Sequence, residues 1–104
     1  MKEILENLNK VFENRIHLAV MSALMVNDSL DFNSFKLMLD VSDGNLATHM
    51  NVLEKSKYVT ISKTFVRRKP LTTYSATATG KRAFGEHLEA LEQLIKKNSV
   101  KKEI

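Results

Sequence analysis

The chain has 104 residues, enough for one small domain, and its 43% hydrophobic and 27% charged residues are typical of a globular protein rather than a disordered one. It contains no cysteine, which excludes a disulfide scaffold, a thiolate metal site and a cysteine nucleophile. No apolar run approaches the roughly 18 residues of a membrane-spanning helix, and the first residues lack a signal-peptide core. We therefore expect a cytoplasmic protein with no membrane partner.

Charge is distributed unevenly along the chain. Residues 1–54 carry 4 basic and 8 acidic side chains, whereas residues 55–104 carry 12 basic and 4 acidic ones, so a formal net charge of +4 conceals an acidic first half and a strongly basic second half. Positive charge concentrated in one part of a small protein is the electrostatic footprint of a nucleic-acid partner.

The first third of the chain predicts two helices. Lys2–Phe12 has the apolar spacing of a short amphipathic helix, which needs its own domain or a partner chain to pack against. Asn14 is an expected N-cap for a second helix, Arg15–Val26, which is apolar around most of its circumference and therefore belongs in the core. Residues 27–31 (NDSLD) have the composition of a turn.

Two further helices follow at close spacing. Phe32–Leu39 predicts a short helix with Asp31 or Asn33 as its cap, and after a tight link Ser42 is an expected N-cap for the next one. This second helix has a narrow apolar stripe, formed by Leu46, Met50 and Leu53. Two short helices joined in this way predict a helix-turn-helix.

The side of the second helix opposite its apolar stripe is polar and short-chained, with acidic groups only at its two ends. It consists of Gly44, Asn45, Thr48, Asn51, Val52 and Lys55, with His49 at the edge. Such a face suits insertion into a DNA major groove. An ordinary amphipathic surface helix would show the same pattern, so this stretch alone leaves both interpretations open.

A β-hairpin is predicted after the helices. Tyr58–Phe65 is rich in β-branched and aromatic residues in alternation, Val66–Pro70 breaks the pattern because proline cannot donate in a ladder, and Leu71–Ala76 predicts a second strand. A helix-turn-helix followed by a hairpin with a basic tip is the winged-helix architecture. Phosphate or minor-groove contacts are expected from Arg67, Arg68 and Lys69 at the tip and from Lys63 on the approach.

The last predicted helix is capped by Thr77, carries Gly80 in its first turn and is longer than a small winged core can cover. Its surplus apolar stripe is expected to pack on the same helix of a second subunit in a two-fold dimer. The residues expected in this dimer contact are Phe84, Leu88, Leu91, Leu94 and Ile95, together with Leu5 and Leu8 of the first segment.

In its ordered set of motifs the sequence resembles winged-helix transcriptional regulators related to the MarR and ArsR groups, in their small single-domain form. The matching stretches are LDFNSFKLMLDVSDGNLATHMNVLEKSKYV from Leu30 to Val59, FVRRKP from Phe65 to Pro70 and TTYSATATGKRAF from Thr72 to Phe84. The resemblance covers nearly the whole chain, from about Leu8 to about Leu94.

This resemblance implies a homodimer that binds double-stranded DNA. The recognition helix would enter the major groove, and the hairpin, or wing, would lie on the adjacent backbone or minor groove. The recognition-helix contacts it implies are Ser42 at the helix start, followed by Asp43, Gly44, Asn45, Thr48 and His49. The wing contacts it implies are Arg67, Arg68 and Lys69.

Two positions depart from the family pattern. Lys57 stands where relatives often have glycine before the aromatic residue that ends the recognition helix, which leaves the geometry of the helix end open. Thr48 stands where relatives often have a basic residue, which suggests few strong base-specific contacts and recognition based partly on DNA shape.

The sequence predicts neither catalysis nor a cofactor. The three histidines, at positions 17, 49 and 87, lack paired ligand spacing, so no metal site is expected. Ser42 is better explained as a helix cap than as a nucleophile. A small-molecule effector pocket at the dimer interface stays open as a hypothesis, since no residue pattern names a ligand.

The expected fold is mainly α with a small β-hairpin (α+β), in a single winged-helix domain over residues 1–104. Residues 14–76 would form the helix-turn-helix and wing, residues 1–12 and 77–97 the dimerisation helices, and residues 98–104 a frayed tail. The expected function is DNA binding, sequence-specific or shape-dependent, as a homodimeric regulator and a repressor rather than an activator. The alternative is a winged helix that binds another protein instead of DNA.

Overall fold

The computed structural model describes residues 1–99 and confirms a mostly helical fold with a small antiparallel sheet. A short 3-10 helix, Lys10–Glu13, lies between the first two α-helices. The helices are α1 (Lys2–Glu6), α2 (Arg15–Met25), α3 (Phe32–Leu39), α4 (Asp43–Lys55) and α5 (Ala78–Asn98). The strands are β1 (Leu30–Asp31), β2 (Val59–Val66) and β3 (Lys69–Ala76). Of the predicted tail, residues 100–104 lie outside the described residues.

Four helices begin at capping residues that the sequence identifies. In each case a side-chain oxygen accepts a hydrogen bond from a backbone N–H of the first turn, which would otherwise have no partner. These caps are Asn14 for α2, Asp31 for α3, Ser42 for α4 and Thr77 for α5. Of the two caps considered for α3, the structure selects Asp31, whose carboxylate also accepts from the Ser34 hydroxyl, and this bond lowers the pKa of Asp31.

The prediction of one continuous helix over Lys2–Phe12 is wrong. Helix α1 ends at Glu6, and a separate 3-10 helix begins after Asn9, whose side chain accepts from the N–H of Val11. Asparagine side chains that bond to nearby backbone compete with helix propagation, which explains the break. The consequence is that Phe12 turns into the core and is 2% exposed.

The sheet has the strand order β1–β3–β2 with antiparallel pairing throughout. Strand β1 was expected to be part of a turn. It forms because Leu30 and Asp31 pair with Tyr74 and Thr73 on β3, a contact over more than 40 positions of sequence that local patterns do not encode. This pairing anchors the base of the hairpin to the start of α3.

Pro70 does not break the hairpin as expected. The strands are joined by a two-residue turn, Arg67–Arg68, and Pro70 lies within β3 opposite Phe65. Because a two-residue turn closes on a hydrogen-bonded pair, here Val66 and Lys69, the next pair outward is a non-hydrogen-bonded one. The missing N–H of Pro70 therefore points away from β2, to an edge that β1 does not reach, where proline is tolerated and discourages further strand pairing.

The core lies where α2, α4, the base of the sheet and the first half of α5 meet. Its buried apolar members are Phe12, Val20, Met21, Leu24, Phe35, Leu46, Met50, Leu53, Val59, Tyr74 and Phe84. Two helical methionines, Met25 and Met38, lie outside this core and are 38% and 55% exposed. Leu37 of α3 is likewise 85% exposed, because the short helix turns only Phe35 fully inward.

The end of α4 forms a Schellman motif. The N–H of Lys57 donates to the carbonyl of Glu54 at 2.9 Å, and the N–H of Tyr58 donates to the carbonyl of Leu53 at 3.0 Å. The motif requires a left-handed residue at Lys57, and φ there is +65°. Glycine adopts this conformation most readily, and the structure shows that lysine adopts it here with the helix end intact.

The start of α5 packs directly on the end of α4. The N–H of Thr77 donates to the carbonyl of Tyr58 at 3.0 Å, and the Thr77 hydroxyl donates to the carbonyl of Lys57 at 2.7 Å. Gly80 approaches so closely that a Cβ atom there would lie 2.2 Å from the Tyr58 carbonyl oxygen.

Among the described helices, none, α5 included, is both long and apolar enough to cross a membrane.

Gly80→Ala should lower the free energy of unfolding by about 2–3 kcal/mol, because the added methyl group meets rigid backbone rather than a flexible side chain. Gly85→Ala is the matched control, since Gly85 lies in the same helix with open space around it. That control should raise the free energy of unfolding by about 0.5–1 kcal/mol. Urea denaturation measures both, and equal effects of the two substitutions would contradict the close-packing argument.

Candidate nucleic-acid interface

Helix α4 buries one stripe and exposes the rest. Leu46, Met50 and Leu53 are each at most 1% exposed, as the sequence predicts. The opposite side, with Gly44, Asn45, Thr48, Asn51, Val52 and Lys55, is exposed throughout. The helix is therefore held rigidly by its apolar stripe while its polar side faces outward.

The first turn of α4 is already engaged in local bonds. Ser42 accepts from the N–H of Asn45 at 3.2 Å, and Asp43 forms an ion pair with Lys36 of α3. The Thr48 hydroxyl donates to the carbonyl of Gly44 at 2.9 Å. Of the predicted contact residues on α4, Asn45 therefore has a side chain with its full hydrogen-bonding capacity available, while Ser42 and Asp43 primarily hold the helix start in place.

His49 lies half-buried at the edge of the polar face and bonds to His17 of α2. The two ring nitrogens, Nδ1 of His49 and Nε2 of His17, are 3.0 Å apart, and Nδ1 of His17 lies 2.8 Å from the carbonyl oxygen of Val11. Because a carbonyl only accepts, His17 must carry its proton on Nδ1, and its Nε2 then accepts from Nδ1–H of His49. The histidines that appear unrelated in the sequence are thus linked in space.

The environment of His49 favours its neutral form. Burial lowers its pKa below the usual value of 6.5, and the neighbouring His17 lowers it further. Within residues 1–99 the side chains form no group of three or more metal-ligating residues around this pair.

The wing presents all four of its predicted cationic contacts to solvent. None of them forms an ion pair within the part of the chain that the structure describes. Both turn residues are left-handed, with φ of +53° at Arg67 and +66° at Arg68, as a type I′ hairpin turn requires. Asparagine and glycine favour this turn, whereas two arginines pay of order 1–3 kcal/mol each in backbone strain. Backbone strain of this kind at two adjacent arginines is typical of a functional position.

A cleft of about 400 Å³ separates α4 from the inner face of the wing. Its floor is largely apolar, with Phe32, Ile61 and Tyr74, and its polar edge contains Asn51 of α4 and Lys63 of β2. The edge also includes Thr72, which pairs with Lys63 across the strands. The helical pattern predicts Asn51 on the outward face but not in the site. Thr72 has no sequence signal for this position, because its place depends on the register that the turn sets.

The predicted dimer residues divide into two groups. Phe84 lies in the core of its own chain, 3% exposed, with its ring edge-on to Phe12 at 5.2 Å, so the expectation that it faces a partner is wrong. Beyond it, an apolar stripe of α5 stays uncovered: Leu88, Leu91 and Ile95 are 45%, 39% and 73% exposed. Leu5 of α1 is also exposed, and Leu8 and Leu94 are half-buried.

The model of the winged helix DNA-binding domain matches residues 16–95, well over half of the chain. The chain belongs to the winged helix DNA-binding domain family. The matched range contains all but the first residue of α2, both helices of the helix-turn-helix, the wing and most of α5, but not the N-terminal segment with α1 and the 3-10 helix.

Relatives of this winged helix domain include an uncharacterized protein of Methanocaldococcus jannaschii, which is 28% identical over 87 residues, 84% of this chain and 95% of that protein. A solved transcriptional regulator homologue from Pyrococcus horikoshii superposes with a TM-score of 0.85 at 27% identity, covering 96% of this chain and all of the other. An ArsR family transcriptional regulator superposes at 0.58 with 16% identity, covering 95% and 97%, a likeness in fold alone.

These similarities confirm the resemblance seen in the sequence. A winged helix with the exposed α4 and the unpaired wing cations of this structure is a DNA-binding domain of the transcription-regulator type.

The His17–His49 pair should make stability depend on pH. Because the pKa of His49 is lowered on folding, the unfolded chain binds more protons near pH 6, and stability must fall as the pH decreases below 6.5. The free energy of unfolding should drop between pH 7.5 and pH 5.5, as measured by urea denaturation. His49→Asn, whose amide can still donate to His17, should show a smaller drop, and an identical drop in both proteins would contradict this assignment.

Proposed function

We propose that the protein is a homodimeric transcriptional regulator that binds duplex DNA and represses by occupying its site. Helix α4 would lie in the major groove, and the wing would contact the adjacent backbone or minor groove. In this proposal Asn45 and Thr48 approach base edges, since asparagine pairs bidentately with adenine and the threonine methyl meets the thymine methyl. Arg67, Arg68, Lys69 and Lys63 neutralise phosphates.

One observation carries the proposal. Helix α4 has an exposed face whose acidic groups lie only at its two ends, and the wing lies next to this face. The wing carries four solvent-exposed cations, two of which are arginines in strained backbone conformations at the turn. A purely solvated hairpin tip has no need for strained arginines, because an Asn-Gly turn would be more stable. Contact with phosphates explains why these side chains occupy the turn.

The dimer is supported by the uncovered stripe on α5. Leu88, Leu91 and Ile95 recur at helical spacing on one side of the helix, beyond the part that packs on the core. Monomers rarely leave such a continuous apolar stripe in water. Pairing of two copies through it would also present two α4 helices to successive major grooves, about 34 Å apart along the DNA.

A substitution in the wing can separate DNA contact from folding. Arg67→Asn with Arg68→Gly installs the preferred type I′ turn, so the free energy of unfolding should rise while DNA affinity falls. Loss of two phosphate contacts in each subunit, four in the dimer, should also reduce the log–log salt slope by about 3.6. Fluorescence anisotropy with a labelled duplex at several salt concentrations measures both quantities.

The control for the wing variant is Lys96→Ala with Lys97→Ala, which removes the same charge from the far end of α5, where Lys96 pairs with Glu92. This control should leave the salt slope unchanged. Equal losses in the two variants would mean that only net charge matters. If the wild-type protein does not bind duplex DNA even at low salt, the proposal fails and a protein-binding winged helix becomes the better interpretation.

The dimer should depend on the α5 stripe. Leu88→Glu with Ile95→Glu places four charges in the proposed two-fold contact, and light scattering coupled to size-exclusion chromatography should then report a monomer in place of a dimer. Both residues are exposed in one chain, so the monomer should stay folded. Leu37→Glu, at an 85% exposed residue on α3, is the control and should remain dimeric.

A further inference from the structure

The two histidines form part of a continuous chain of hydrogen bonds that ends at the outer edge of α4. The Val11 carbonyl accepts from Nδ1–H of His17, and Nε2 of His17 accepts from Nδ1–H of His49. The remaining ring nitrogen, Nε2 of His49, has no partner among residues 1–99 but is not cut off from solvent, since no described buried side-chain nitrogen lacks a partner. Of the four ring nitrogens in this hydrogen-bonded pair, Nε2 of His49 is therefore the one that is free to accept a proton.

The position of His49 on α4 determines what Nε2 would meet. At 100° per residue, Ala47 and Asn51 occupy the flank of the helix that lines the wing cleft, and His49 occupies the opposite flank, next to Asn45. A helix with its side chains is 10–12 Å wide and the major groove about 12 Å, so the two flanks of an inserted helix come against the two bordering backbones. In a complex of this geometry the wing would contact one backbone, and His49 would face the other.

We propose that His17 is a positioning residue that orients His49 so that its outward Nε2, once protonated, donates to a DNA phosphate, and that complex formation therefore takes up a proton. This inference rests on the proposed DNA binding. The proton comes from solvent and stays on Nε2, while Nδ1–H of His49 continues to donate to His17. A phosphate favours the charged imidazole by attraction, and thereby reverses the effect that burial has in the free protein.

The charged groups around His49 are compatible with this behaviour. The elements that pack most extensively on α4 are α2, α3 and β2. On α2 only His17 acts on the His49 ring, since Arg15 lies two residues earlier and exposed, about 200° around that helix. Lys36 of α3 is paired with Asp43, and Lys63 of β2 lines the cleft on the other flank. On α4 itself, Asp43, Glu54 and Lys55 are exposed and lie away from the His49 flank.

The experiment measures the dissociation constant of the full chain for a fixed labelled duplex between pH 6 and pH 8 at constant salt. Uptake of one proton per subunit, two per dimer, should tighten binding as the pH falls, with a limiting change of about a hundredfold per pH unit. His49→Asn keeps the donor to His17 but removes Nε2, and it should bind with little dependence on pH. A histidine that merely packs would give wild-type and variant curves of the same slope, which would overturn the inference.

The role of His17 is tested by two substitutions. His17→Ala removes the acceptor for Nδ1–H of His49 and should reduce the pH dependence, whereas His17→Gln restores an acceptor and should recover most of it. Equal behaviour of these two variants would overturn the positioning role.

A nitrogen-15 NMR titration of the imidazoles gives an independent readout. The pKa of His49 should rise on addition of DNA, and an unchanged pKa would count against the phosphate contact. Failure of the wild type to bind DNA at any pH would overturn the proposed function itself, whereas binding with a slope that His49→Asn does not alter would overturn this inference alone.

Discussion

The close packing of Gly80 on the backbone of Tyr58 determines how the functional parts are arranged. Between Lys55 and Val59, helix α4 ends and strand β2 begins. In the same short segment the carbonyls of Lys57 and Tyr58 accept hydrogen bonds from Thr77, the cap of α5. The angle between α4 and α5 is therefore set by backbone contact, which deforms less than side-chain packing. In a dimer joined through α5, this junction would determine the distance between the two α4 helices.

A second link connects the N-terminal segment to the same parts. The backbone N–H of Asn9 donates to His87 of α5 and its side chain donates to the Tyr58 hydroxyl, while the Val11 carbonyl receives His17 and, through it, His49. The three histidines of the chain all bond to, or through, this short segment. The 3-10 helix thus does more than cover the core with Phe12, since it ties the proposed dimer helix to the recognition helix.

A small number of wing residues both fix the hairpin in place and present its positive charges. Its base is fixed by the pairing of β1 with β3, while the end of the hairpin, from Ser62 to Pro70, is exposed. Two strained left-handed arginines turn the chain and place their charges at the far end. Pro70 protects the free strand edge. These features favour a rigid hairpin that is available to a partner.

The sequence alone determined the helix caps, the apolar stripe of α4, the two wing strands and the family, because these depend on local spacing and side-chain chemistry. It did not reveal the break after Glu6, strand β1, the register that places Pro70 in a strand, or the burial of Phe84. The break after Glu6 and the register of Pro70 depend on local backbone geometry, the Asn9 cap and the left-handed turn at Arg67 and Arg68, which residue composition does not indicate. Strand β1 and the burial of Phe84 depend on contacts between distant segments, such as Leu30 with Tyr74 and Phe84 with Phe12. The His17–His49 bond has the same origin: only tertiary packing brings residues 32 positions apart to 3.0 Å.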